Sequence, residues 1–232
     1  MCQTGRSHSD GSQARQICRM FLEKSMTSIK ILDSIKSIEK KVNTAIAQEA
    51  NKKIKKNSGA IQDRARAFAV SSLMAQPEIA SLAGGELAGA FGIQVQTSVS
   101  AISAITSSFA QSIHSEVKQF SNNLQGGIFI YFQPDNFTNL LSLPQGHTIY
   151  AKGDLHWLQW LLERGDEIIV AGYDYEASTG RGRSGLGFMD KGGAFRVPPQ
   201  FSGTKDDNFI SRALIGKAQE QAISKILMDV LK

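Results

Sequence analysis

The run Gly180-Arg181-Gly182-Arg183-Ser184-Gly185 has the G-x-G-x-x-G spacing with which a glycine turn cradles a dinucleotide pyrophosphate. That chemistry needs the third glycine to open a helix whose N-terminus meets the phosphates, whereas Leu186-Gly187-Phe188-Met189 continues as a strand. The run therefore reads as a flexible Arg/Gly tip, placed to touch an acidic neighbour or a phosphate backbone through Arg181 and Arg183. The four histidines, His8, His114, His147 and His156, are scattered, and none stands three or four residues from another His or a Cys. Cys2, His8 and Cys18 match no zinc spacing. Gly-x-Ser-x-Gly, His-Glu-x-x-His and a Walker lysine are all missing from the sequence. Asp166-Glu167 and Asp206-Asp207 are adjacent pairs, which point to opposite faces of a strand or serve the dipole of a helix start. The expectation is a protein that is not an enzyme and takes no cofactor or metal.

The elements that would position such residues belong to a chain of 232 residues, long enough for one large domain. Apolar residues are 41% and charged residues 20%, which excludes collagen-like and wholly disordered classes. Two cysteines exclude a disulfide framework and suit a reducing compartment. Apolar runs are too short and too polar for a membrane span, and the first residues lack the apolar stretch of a secretory signal. The net charge of +5 is uneven: residues 1–75 carry 14 Lys and Arg against 6 Asp and Glu, and residues 76–232 carry 12 against 15. A basic front and a mildly acidic remainder suit nucleic acid, or contact between the front of one copy and the back of another.

Residues 1–25 show no period and are expected to be a disordered leader or an upstream extension, with the pattern starting at Met26. Residues 26–112 are expected to be helical. Ile31, Ile35, Ile38, Val42, Ala45 and Ile46 recur at spacings of three and four, and the stripe continues through Ile54, Ile61, Ala65, Phe68, Ala69 and Leu73. This predicts a long amphipathic helix, or a helix pair broken near Gly59, too long for a small domain to cover alone. Pro77 to Leu82 predicts a short helix, Gly84 to Ile93 a small-residue turn, and Val95, Val99, Ile102 and Ile105 one further helix.

Residues 113–232 change to a period of two, with strands predicted at 113–120, 128–132, 148–151, 167–173, within 180–190 and at 193–197. They are read as one antiparallel sheet, with Leu124 to Gly127 as a hairpin turn. Asp154 is read as the N-cap of an inserted helix reaching Arg164, whose Trp157 and Trp160 serve as partial core or as anchors for a partner subunit. Thr204-Lys205-Asp206-Asp207 reads as a capping box opening a C-terminal helix that runs to Leu231. The whole is predicted to be α+β, the helical and sheet regions packing as one domain.

Arg196-Val197-Pro198-Pro199-Gln200-Phe201-Ser202-Gly203-Thr204, followed by Asp207-Asn208-Phe209-Ile210-Ser211-Arg212-Ala213-Leu214, resembles the closing segment of tailed-bacteriophage neck, head-tail connector and tail-completion proteins of the virion morphogenesis type. Gly85-Glu86-Leu87-Ala88 with Phe91-Gly92-Ile93 stands where that family has its small-residue turn, without the arginines usual there. The order of elements matches over residues 27–232. The resemblance implies a homo-oligomeric ring at the head-tail junction of the virion, present in the host cytoplasm before assembly, in contact with portal, connector or tail-tube proteins and with DNA passing through its lumen. No membrane contact is implied. The candidate subunit contacts are Leu87, Phe91, Trp157, Trp160, Arg181, Arg183, Arg196, Val197, Pro198, Pro199, Phe201, Gly203, Thr204, Phe209 and Arg212, with Val197 to Phe201 drawn as an arm laid over the neighbour. The alternative is a DNA-binding accessory protein acting through Lys52 to Lys56 and Arg181 to Arg183.

Overall fold

Forty residues without a proline, rich in Ala, Lys, Gln and Glu, form a single helix, α1 (Ile35–Met74), in the computed structural model, which describes residues 32–134, 136–150 and 153–231. Gly59 does not break it. The readings for residues 1–25 and for Ile31 lie outside the described residues. The chain divides into two compact units, Met1–Val42 and Asn43–Lys232. In the first, Lys41 pairs with Asp33 at 2.5 Å, and Ile35 and Val42 are exposed.

In the second unit, residues from both the helical and the strand-rich regions share one core. The buried positions of α1 are Ala47, Ile54, Ile61, Ala65, Ala69 and Leu73, spaced by sevens and fours along one face. Pro77 opens α2 (Pro77–Leu82), since its missing N–H is one that a helix start leaves unpaired anyway. Next comes α3 (Glu86–Ala90), its Leu87 N–H donating to the buried Ser81 Oγ at 2.9 Å. In α4 (Val95–Ser112) the stripe differs from the expected one. Ser98, Ala101, Ile105 and Phe109 are buried, while Val95 and Val99 are exposed. Ser98 can go inside because its hydroxyl donates to the Leu82 carbonyl, which removes the cost of burying it.

Among the described residues, the predicted sheet is divided into three antiparallel ribbons. The first joins β1 (His114–Lys118) to β2 (Gly127–Tyr131) through residues 119–126. Ile113, expected in the strand, ends α4 as a buried cap. The short α5 (Thr138–Leu141) follows. The second ribbon pairs β3 (Thr148–Tyr150) with β4 (Gly153–Leu155). The third is long: β5 (Ile168–Ala177) with β6 (Gly187–Arg196), so the two pieces expected at 180–190 and 193–197 are one strand. Its register shifts near Gly172, Gly192 and Gly193, where positive φ lets the ribbon bend.

Two helix starts also differ from expectation. Asp154 lies in β4, and the inserted helix α6 (Trp157–Leu162) opens after His156 without a side-chain cap. Thr204 Oγ1 does accept from Asp207 N at 3.2 Å, but this closes a turn. The working cap is Asn208, whose side chain accepts from Ile210 N and Ser211 N while Ser211 Oγ accepts from Asn208 N. The helix it opens, α7 (Phe209–Leu214), stops at Ile215 and Gly216 before α8 (Lys217–Leu231), so the single C-terminal helix is two.

Candidate functional site

The predicted contact residues fall into three sets. Leu87, Phe91, Trp157, Val197, Gly203 and Phe209 are buried within the chain itself. Val197 to Phe201 is accordingly no free arm: Val197 enters the core, Pro199–Phe201 turn as a 3-10 helix, and Gln200 donates to Glu86 at 2.9 Å. Trp160, Pro198, Phe201 and Arg212 are half-buried, and an Arg164 guanidinium covers the Trp160 ring at 5.6 Å. Arg181, Arg183, Arg196, Pro199 and Thr204 remain exposed.

The Arg/Gly loop between β5 and β6 is tied to itself and to its surroundings. Gly180 N donates to Gly185 O at 2.8 Å and Gly187 N to Arg181 O at 3.2 Å. Gly180, Gly182 and Gly185 all take positive φ, and a Cβ on Gly182 would lie 1.7 Å from the Gly187 carbonyl oxygen. The glycine spacing thus serves a closed loop that leads into a strand, as the sequence order predicts. Arg181 lies over Phe188 at 5.3 Å; Arg183 lies over Tyr150 at 5.6 Å and donates to the Ile149 carbonyl.

Arg183 stands at one side of a cavity of about 300 Å³ whose other walls include Gln94, Thr97, His147, Ile149 and Trp157. Tyr150 Oη donates to Phe91 O at 3.2 Å; burial raises its pKa, and the Arg183 charge partly opposes the rise. His147 Nδ1 stands 2.8 Å from Asp154 Oδ2, and its ring stacks on that of His156 at 4.0 Å. The sequence scatters these histidines nine residues apart; pairing of β3 with β4 brings them together. Among the described residues, no group of three or more His, Cys, Asp or Glu could hold a metal ion.

The closing segment is a second constellation. Gly203 lies against α6 so closely that a Cβ would meet Leu161 O at 2.0 Å, and its own carbonyl accepts from Gly165 N at 2.9 Å. Buried Asn208 donates to Leu162 O at 3.2 Å and Thr204 O at 2.9 Å. Arg212 donates to the buried Glu78 of α2, and contacts Asp207 at 3.3 Å. The closing segment therefore locks α7 onto α6 and α2. Sequence reasoning missed Asn51 and Arg66 of α1, which donate to Phe120 O at 3.0 Å and Ala110 O at 2.8 Å. Their only local signal is a polar residue within the largely apolar side of a helix.

The architecture defines an α+β protein with a long N-terminal helix, small two-stranded antiparallel ribbons and a C-terminal helix. Searches against family models, curated proteins and solved structures find no match.

Proposed function

We propose that the chain is a structural virion protein of a tailed phage, a neck or tail-completion component that assembles as a ring of identical subunits at the head-tail junction. The observation that carries self-assembly is the start of α1. Ile35, Ile38 and Val42 follow one another at helical spacing and are 84%, 38% and 50% exposed. Three branched apolar side chains at that spacing on a basic segment cost free energy in water and are stabilised by a neighbouring copy. The acidic balance of residues 76–232 suits that neighbour. The resemblance of residues 196–214 to phage neck proteins supplies the place of assembly, with portal, connector or tail-tube proteins as partners. On this reading the protein is no enzyme and uses no cofactor. Among the described residues, no helix is long and apolar enough to cross a membrane.

Sedimentation at micromolar concentration tests this. The expected wild-type species is a closed oligomer, and Ile38→Gln with Val42→Gln shifts it to monomer without loss of helical signal, since an interface of this kind buries on the order of 800 Å² per partner. A wild-type monomer that stays one with portal and tail proteins added sinks the proposal.

A second reading, a DNA-binding accessory protein, is favoured by one observation. Lys52, Lys53, Lys55 and Lys56 are exposed around the buried Ile54. Four charges within about 6 Å of helix axis approach the phosphate density of duplex DNA. Replacing all four with Gln is expected to abolish duplex binding at 50 mM salt, and affinity in the wild type falls about tenfold or more by 200 mM. No binding at low salt excludes this reading and leaves the ring.

A further inference from the structure

We infer that the stacked His147–His156 pair is a proton-operated clasp at the base of the β3–β4 hairpin, closed when the pair carries at most one proton and opened when both rings are charged. The inference does not depend on the phage reading.

The geometry begins with the strand register. Thr148 faces Leu155, Ile149 faces Asp154 and Tyr150 faces Gly153, so His147 and His156 are the next pair outward, where the two chains leave the ribbon. Their rings lie 4.0 Å apart and within 12° of parallel. Behind them packing is tight: a Cβ on Gly146 would come 3.0 Å from Leu158 Cβ and 3.7 Å from His156 Cδ2. His156 Nε2 is buried with no hydrogen-bond partner.

Charge then sets the rule of operation. An imidazolium at His147 has Asp154 as its acceptor at 2.8 Å. A second imidazolium at His156 has no acceptor at Nε2 and lies face to face with the first. Among the described residues, the charged and titratable groups around the pair include Asp154 on β4, Glu163 beyond α6, and Arg183 from the β5–β6 loop across the cavity that His147 lines. The two carboxylates favour a proton on His156, whereas burial, the largest influence, and His147 oppose it. The balance lowers its pKa below the ordinary histidine value.

A group whose pKa is lowered by folding contributes its full stability above the unfolded pKa, here about 6.5, and loses it as pH falls from there toward the folded value. The clasp is therefore closed at neutral pH and loosens in mild acid.

What it holds is small enough to respond. The ribbon has three residue pairs, and such a hairpin is marginal by itself. Beyond the pairing, Tyr150 donates to Phe91 O, Thr148 is buried, Leu155 packs against the core and Arg183 donates to Ile149 O. Parting β3 from β4 loosens β3, whose Ile149 carbonyl and Tyr150 ring hold Arg183, so the acid form holds that guanidinium less tightly.

Hydrogen exchange on the full chain at pH 7.5 and 5.5, corrected for the intrinsic rate, reads the clasp directly. Protection of residues 148–150 and 153–155 is expected to fall by about threefold or more at the lower pH, while α4 stays unchanged. His156→Phe keeps a stacked ring without the proton, and its hairpin protection is expected to be flat over the same range. An unchanged wild-type ratio, or an equal fall in His156→Phe, overturns the inference. If that variant does not fold, the titration of the His156 ring proton in the wild-type NMR spectrum decides. A midpoint at or above that of an unstructured histidine overturns the clasp, and one below it supports it.

Discussion

Arg212→Ala is expected to destabilise the chain by about 3–5 kcal/mol, the cost of leaving a buried carboxylate without its cation. Glu78 is 1% exposed, one of its oxygens has no hydrogen-bond partner, and the other meets Arg212. The second partner of Arg212, Asp207, is exposed and contributes little. The loss should therefore be recovered in large part by Glu78→Gln in the same chain, because a neutral amide costs less to bury than an unpaired charge. Urea denaturation of the two single variants and the double variant measures the coupling. Were Arg212 a contact between copies, the single variant would keep the unfolding midpoint of the subunit and lose only assembly. That pattern would refute the assignment made from its partners.

Trp157→Ala is expected to cost a similar ~3–5 kcal/mol, by lost burial and the cavity left behind. The indole is 1% exposed and stacks on Phe91, 5.9 Å between ring centres and 23° from parallel. Trp157→Phe should lose much less, since it keeps an aromatic against Phe91 and leaves a smaller void. Trp160, half-buried beneath Arg164, provides the contrast: Trp160→Ala is expected to cost less than half as much. Fluorescence-monitored unfolding separates the two, because the buried Trp157 is expected to emit to the blue of Trp160. A Trp157→Ala chain that unfolds at the wild-type midpoint would return this residue to the role of an anchor for a neighbour.

Both cases mark where reading the sequence stops. Trp157 and Trp160 stand three residues apart on one short helix, and helical spacing cannot say which ring meets Phe91, some 66 positions earlier in the chain. Glu78 and Arg212 are 134 residues apart, and each looks in isolation like an ordinary surface charge. Val95 and Val99 fit an apolar stripe, yet α4 buries Ser98 and Ala101, because Leu82 offers Ser98 an acceptor. Thr204 has the form of a helix cap, but Asn208 does that work, since its amide also reaches Leu162 O and Thr204 O.

What the sequence determined by itself was local. The helical spacing of Ile54, Ile61, Ala65, Ala69 and Leu73 set the buried face of α1. Pro77 set the start of α2, and alternation marked the strand segments. A third glycine followed by a strand gave the Arg/Gly run its place in a loop. Each follows from backbone geometry over a few residues, where sterics and period decide. The tertiary structure alone decided that the described strands form three ribbons, that the closing segment folds back onto its own chain, and that His147 meets His156. Those outcomes depend on which groups distant in sequence give up water together, and the free energy of that exchange is not carried by either partner alone.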